Sequence, residues 1–417
     1  MWLGFGGGEN TLEGSPVDSL VFFILIFAAF VALARRRLNW FEVICENWPI
    51  FLFYAFLLIS VVWANSPFVS FKRWSKEFGN IAVLLVILTD PRPQQALRAV
   101  FVRCACLLLP LSVVFIRYFP SLGRCYSIGG APENTGVTTQ KNSLGVLALV
   151  CGLVLLWDWL ELRKEQRSSK AMRLETKIHF GLLLLALYLL HLSDSKTSVV
   201  CLLFGAAIIL ATRLVFFRRQ PHLLGVGALA VVLTFWVLDQ TVGVKEKMVT
   251  HLGRDMTFTG RTDVWRELLG LHTDPLLGVG FMSFWDDKGL QSQLPEWVAH
   301  SAHNGYLEEY LGGGWVGIFF LVAMLLAVGF RINNSLKHDG DYGAVRLAIF
   351  STFLIGNFSE SNIACMTPIG FLFLLAAIGH AQRLYEPATF TNDLPAVDDL
   401  YTSETRPRRA LVVDYNS

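Results

Sequence analysis

Apolar stretches of about 15 to 22 residues recur from one end of this chain to the other, and that recurrence limits its possible folds more than any motif does. About 20 apolar residues in helical form span the hydrocarbon core of a bilayer, where every backbone polar group must be satisfied internally. The runs lie near residues 20 to 34, 48 to 64, 77 to 90, 99 to 118, 143 to 160, 178 to 193, 197 to 216, 222 to 239, 311 to 330, 344 to 362 and 366 to 380. They predict an all-α polytopic membrane protein with about eleven transmembrane helices. A chain of 417 residues that is 53% hydrophobic and 16% charged agrees with that class.

Lys and Arg in the short connections set the orientation. Glu9, Glu13 and Asp18 precede the first run and Arg35, Arg36 and Arg37 follow it, so it is expected to pass from outside to inside. Every second connection is then cytoplasmic, and these hold Arg92 and Arg98, a cluster from Arg163 to Lys177, Arg213 with Arg218 and Arg219, and Arg331 with Lys337. The N-terminus falls outside, the C-terminus inside and the 240–310 segment outside. The N-terminal stretch lacks the positive start and small-residue cleavage site of a removed signal peptide.

Three pieces follow: an extracytoplasmic N-terminus (1–16), a transmembrane domain (17–382) that includes a partly helical outer loop domain (240–310), and a polar, disordered cytoplasmic tail (383–417). No internal repeat of the kind that builds many transporters is visible. Of seven cysteines, Cys45, Cys104, Cys106, Cys151 and Cys201 sit in or beside apolar runs without metal-ligand spacing. Cys125 and Cys365 both fall on the outer side, where pairing depends on a geometry that sequence does not supply.

Residues able to carry chemistry concentrate in the outer loop. His303 stands in HNGYLEEYLGGGWVG, just before a glycine-rich apolar segment, and an imidazole accepts a proton near neutral pH. On a helix starting near Ser301 its face is shared by Tyr306, Leu307 and Tyr310, while Glu308 and Glu309 point elsewhere. An orienting partner must therefore come from another segment or from a backbone carbonyl. The ordinary alternative is a surface histidine beside His300, with the two glutamates as a solvated face.

Arg261 opens GRTDVWRELL, with Trp265 one helical turn on and Arg266 pointing elsewhere. Its guanidinium can stack on the indole and offer its outer edge to an anion, or the segment is an interfacial helix meeting lipid phosphates. Lys72, Arg73, Lys76, Arg124, Lys141 and Lys196 also fall outside, against the usual charge bias. A strongly anionic headgroup such as a diphosphate accounts for the set. Glu360, in NFSESN, either balances these cations, the more economical reading, or is the remote carboxylate that His303 lacks nearby. Gly312, Gly313, Gly314 and Gly317 read as close packing. No P-loop or dinucleotide fingerprint appears, and Asp286 with Asp287 is weak as a metal signal. The energy for a synthesis on the outer side would then reside in the substrate itself.

These motifs resemble the O-antigen ligase and Wzy-type polysaccharide polymerase superfamily. His303, Asn304, Gly314 and Gly317 are similar to its signature of His, then Asn, Ser or Gln, nine residues and Gly-x-x-Gly. GRTDVWRELL resembles its outer Arg motif, PLLGVGFMSF its glycine-rich stretch, NFSES its late acidic motif, and TQKNSLG, with Lys141 and Asn142, a polar lead-in to a middle span. The motifs cover roughly residues 140 to 362. Ser195 and Lys196 depart from the Ser-Arg common in ligases, losing the bidentate fork, and look closer to the exopolysaccharide-production branch, whose members polymerise repeat units. Eleven spans depart from the usual even number.

The resemblance implies an inner-membrane glycosyltransferase of GT-C type, bacterial and multi-pass, working at the periplasmic side without metal or cofactor. His303 would be its catalytic base. Arg261, Arg266, Lys196, Arg73 and Lys141 would hold a diphosphate, with Asn304 and Glu360 as further site candidates. Implied partners are undecaprenyl-diphosphate-linked oligosaccharide, membrane lipid, a chain-length regulator and other polysaccharide-assembly proteins, and no nucleic acid. The rival expectations are ligase-type transfer of a finished polysaccharide to another acceptor, and a non-enzymatic transporter or flippase of lipid-linked sugar.

Overall fold

The computed structural model of the chain describes residues 16–36, 38–126, 130–165, 170–220, 222–228, 230, 257–295, 297–298, 301–338, 340–363 and 367–379. Their main helices are α1 (Pro16–Ala34), α2 (Trp40–Glu46), α3 (Trp48–Ser60), α4 (Pro67–Leu88), α5 (Pro93–Tyr118), α6 (Lys141–Glu165), α7 (Lys170–Ser193), α8 (Lys196–Ala211), α9 (Thr257–Gly270), α10 (Gly305–His338), α11 (Gly340–Gly356) and α12 (Pro368–Ala377). A small antiparallel pair, β1 (Arg124–Tyr126) and β2 (Pro132–Asn134), lies between α5 and α6. The expected N-terminus and C-terminal tail, and Cys365, lie outside the described residues.

A helix occupies each expected apolar run, and the run at 222–239 is described as helical only in its first part. Among the described residues, α5, α6, α7 and α10 are long and apolar enough to cross a membrane singly, and α2 with α3, bent by 89°, makes a fifth if counted as one span. Helices α1, α8 and α12 are apolar but shorter. Helix α4 carries Lys72, Arg73, Lys76 and Glu77 in its first half. The protein is thus a helical membrane protein.

Helix α6 is central, with 72% of its apolar stretch buried against 22% for α5 at the rim. It packs on α7 and α8, while α11 joins α8, α10 and α12. Phe23 and Phe27 of α1, Leu203 of α8 and Phe319 and Phe330 of α10 stand exposed, as side chains that meet lipid rather than water.

Contacts between connections fall into two sets that match the alternation read from charge. On one end Arg36 donates to the Val86 carbonyl, Arg213 pairs with Glu161, and Arg331 donates to Asn47 and to the Ala377 carbonyl. On the other, Asn65 N–H donates to Ser283, Asn134 to the Leu192 carbonyl, and Arg261 to the Ser359 carbonyl. Connections expected inside thus meet one another, and so do those expected outside.

Helix α10 is broken within its glycine run: Gly314 has φ 60° and ψ −159°, outside helical geometry. A break strands carbonyls before it and N–H groups after it, and these need partners. The segment after α9 supplies them. Val279 and Gly280 donate to the Leu311 and Gly312 carbonyls, while the Trp315 and Val316 N–H groups reach the Pro275 and Leu276 carbonyls. A side chain on Gly314 would collide with the Leu276 backbone at 2.3 Å, which is why the run must be glycine here. Above the main core, Leu268, Phe284, Ala302, Leu307 and Leu311 form a second small cluster.

Candidate active site

His303 does not lie on a helix that starts near Ser301. Helix α10 begins at Gly305, and His303 precedes it in a left-handed conformation, φ 48°, which costs energy for a non-glycine residue and persists only when neighbours impose it. Those neighbours are present. The Ala302 N–H donates to Glu308 Oε1 at 2.7 Å, and its carbonyl accepts from Trp265 Nε1 of α9 at 2.8 Å. Glu308 Oε2 accepts from Trp285 Nε1 at 2.9 Å. Asn304 caps α10, its Oδ1 accepting from the Tyr306 and Leu307 N–H groups at 3.0 and 3.3 Å.

The start of α10 is fastened to the end of α11. Gly305 N–H donates to the Asn357 carbonyl at 2.9 Å, and a side chain on Gly305 would strike Asn357 Oδ1. Tyr306 donates to the Leu354 carbonyl at 3.0 Å and packs on Phe358. Just past this junction the Glu360 N–H bonds back to the Gly356 carbonyl, and Asn362 donates to the carbonyl of Glu360.

Three functional groups meet at the Glu360 carboxylate. Oε2 lies 3.5 Å from His303 Nδ1, and Oε1 lies 3.5 Å from Arg261 Nη2. Asn142, in the first turn of α6, donates to Oε1 at 2.7 Å. Arg261 is itself anchored, Nη1 donating to the Ser359 carbonyl at 2.8 Å. The side chains of His303, Arg261 and Glu360 are 31%, 24% and 23% exposed, so the cluster is sheltered yet open to a ligand. At 3.5 Å the imidazole contact is longer than a formed hydrogen bond, leaving room to tighten around substrate.

The other expected cations pair with acids other than Glu360. Arg266 pairs with Asp263 of its own helix at 2.8 Å and is 76% exposed. Lys196 opens α8 and pairs with Asp194 at 3.2 Å, both half exposed. Arg73 grips both oxygens of Asp286, and Lys141 pairs with Glu133. Sequence reasoning missed Asn142 as the partner of Glu360, for which the polar TQKNSLG lead-in was the available signal. It also allowed a solvated face for Glu308 and Glu309. The structure corrects this: Glu308 ties down the His303 turn, and Glu309 is buried beside Phe56, Gly313 and Gly317. The helix starts at Gly305, four residues after Ser301, and the shifted period turns both glutamates inward. A small cavity beside Glu360 is walled by Asn142, Ser198 and Thr352.

Residues 181–322, which include Arg261 and His303, match the sequence profile of the O-antigen ligase family. The chain is also 24% identical over 352 residues to the exopolysaccharide production protein ExoQ of Rhizobium meliloti (strain 1021), covering 79% of this chain and 76% of that protein. The likeness to the O-antigen ligase and Wzy-type superfamily therefore holds. Glu360 and Asn142 fall outside the matched profile, and the fold alone brings them to His303.

Proposed function

We propose that this protein is an inner-membrane glycosyltransferase of GT-C type, with about eleven spans, that polymerises undecaprenyl-diphosphate-linked oligosaccharide repeat units into exopolysaccharide at the periplasmic face. The observation that carries the reading is the convergence of an imidazole and a guanidinium on one carboxylate. With Nδ1 facing Glu360, the imidazole keeps its N–H there, and Nε2 is left to accept a proton. The acceptor sugar hydroxyl gives that proton to His303 as its oxygen bonds to the anomeric carbon of the donor. The bond from that carbon to the diphosphate oxygen breaks in the same displacement. Arg261 neutralises the charge that accumulates on the departing lipid diphosphate. Arg73, Lys141, Lys196 and Arg266 pair with carboxylates other than Glu360 and are assigned secondary roles in binding.

The similarity to an exopolysaccharide production protein of Rhizobium supports that product, and the similarity to the O-antigen ligase family keeps transfer to a different acceptor as the second reading. Purified protein incubated with lipid-diphosphate oligosaccharide separates them: longer lipid-linked chains mean polymerisation, an altered acceptor means ligation. In the polymerase reading His303→Ala nearly abolishes chain growth while membrane abundance stays normal. Unchanged chain growth in that variant would overturn the reading.

A further inference from the structure

Arg261 has two tasks at the proposed site that compete. It faces Glu360 at 3.5 Å, and it must also meet the donor diphosphate. A guanidinium drawn to a diphosphate gives up much of its hold on a carboxylate, so something else has to keep Glu360 turned toward His303 during the transfer. Asn142 is placed to do so. Its bond to Glu360 Oε1, at 2.7 Å, is shorter than the contact from either charged partner. It leaves Oε2 to His303.

The support beneath Asn142 is stiff. It sits in the first turn of the central helix, where α6 and α8 touch so closely that a side chain on Gly145 would lie 2.5 Å from Ser195 Cβ. Asn142 is also neutral. A lysine at that position would cancel the carboxylate charge that steadies a protonated His303, whereas an amide holds the group and leaves its charge intact. The adjacent Lys141 is turned away to Glu133.

Resting on the glycosyl-transfer reading above, we infer that Asn142 is the positioning residue that keeps Glu360 aimed at His303 while Arg261 is engaged by the diphosphate. The test uses purified full-length protein with undecaprenyl-diphosphate-linked repeat-unit oligosaccharide as probe, each variant matched for folded protein by gel filtration. Asn142→Ala should lower kcat about ten- to a hundredfold, the scale of a misplaced catalytic group, while donor KM stays within about twofold. Asn142→Asp has the same size but sets carboxylate against carboxylate, and should lose more than Asn142→Ala. In a Glu360→Gln background Asn142→Ala should cost nothing further, since a residue acting through Glu360 is non-additive with it.

A wild-type kcat for Asn142→Ala, an Asp variant no worse than the Ala variant, or additive losses in the double variant would each overturn the inference. If His303→Ala extends chains at the wild-type rate, the functional reading fails. If His303→Ala loses chain growth and one of those three results appears, that reading stands and only the role of Asn142 falls.

Discussion

The two ends of the helical bundle each hold a carboxylate between an arginine and a histidine, and the pairs are built to opposite specifications. On the end expected inside, Asp158 of α6 meets Arg98 of α5 and, at 3.0 Å, Nε2 of His179 of α7, whose Nδ1 lies 2.8 Å from the Glu175 carbonyl. The side chains of Asp158 and His179 are 1% and 4% exposed. On the opposite end an arginine, a histidine and a carboxylate, here Glu360, meet at longer distances, and the histidine and carboxylate are 31% and 23% exposed, although the two arginines are equally exposed at 24%. The same chemistry serves as a fastener when three helices close over it and becomes available to a ligand when it lies at a loop junction. The kinds of group do not separate the two cases; the burial of the histidine and carboxylate, and the slack between the groups, do.

Exchanging the histidines probes this contrast most strongly. His303→Ala should reduce chain growth by about two to four powers of ten, the worth of general-base assistance, without lowering the amount of folded protein. His179→Ala should do the reverse, reducing yield and thermal stability in detergent while the protein that folds keeps its specific activity. A catalytic loss in both variants would break the comparison.

The carboxylates come next. Glu360→Gln should slow transfer about a hundredfold or more, as when a catalytic imidazole loses its orienting acid, with the melting temperature little changed. Asp158→Ala leaves the buried His179 without its acid and frees Arg98, which is 24% exposed, and should cost about 2 kcal/mol or more of stability, read from denaturant or thermal unfolding. The smallest effect is expected at Lys196, whose pair with Asp194 is half exposed. Lys196→Ala should change donor KM by no more than about fivefold, the scale of an exposed charge contact of ~1 kcal/mol. A larger change would move Lys196 from the margin of the site to its centre.

Much of this was legible in the chain itself, because membrane burial writes helices as apolar runs and orientation as an alternation of Lys and Arg. His303 and Arg261 were legible as motifs. Their meeting point was not, since Glu360 reaches them only through packing of α10 on α11, and Asn142 lies 218 residues before it. The left-handed turn at His303 was hidden for a local reason. HNGYLEEY has the composition of a helix start, and only the Asn304 cap shows that the helix begins after the histidine. Lys196, Arg73 and Lys141 were grouped by charge alone, and charge does not reveal that each sits beside an acid of its own.

The kink at Gly314 has a mechanical result. Four main-chain hydrogen bonds sew the stretch from Pro275 to Gly280 into the gap in that rod, so this stretch cannot swing upward as a hinged cover without tearing the seam. That stretch and the two halves of the broken helix are therefore expected to move as one piece.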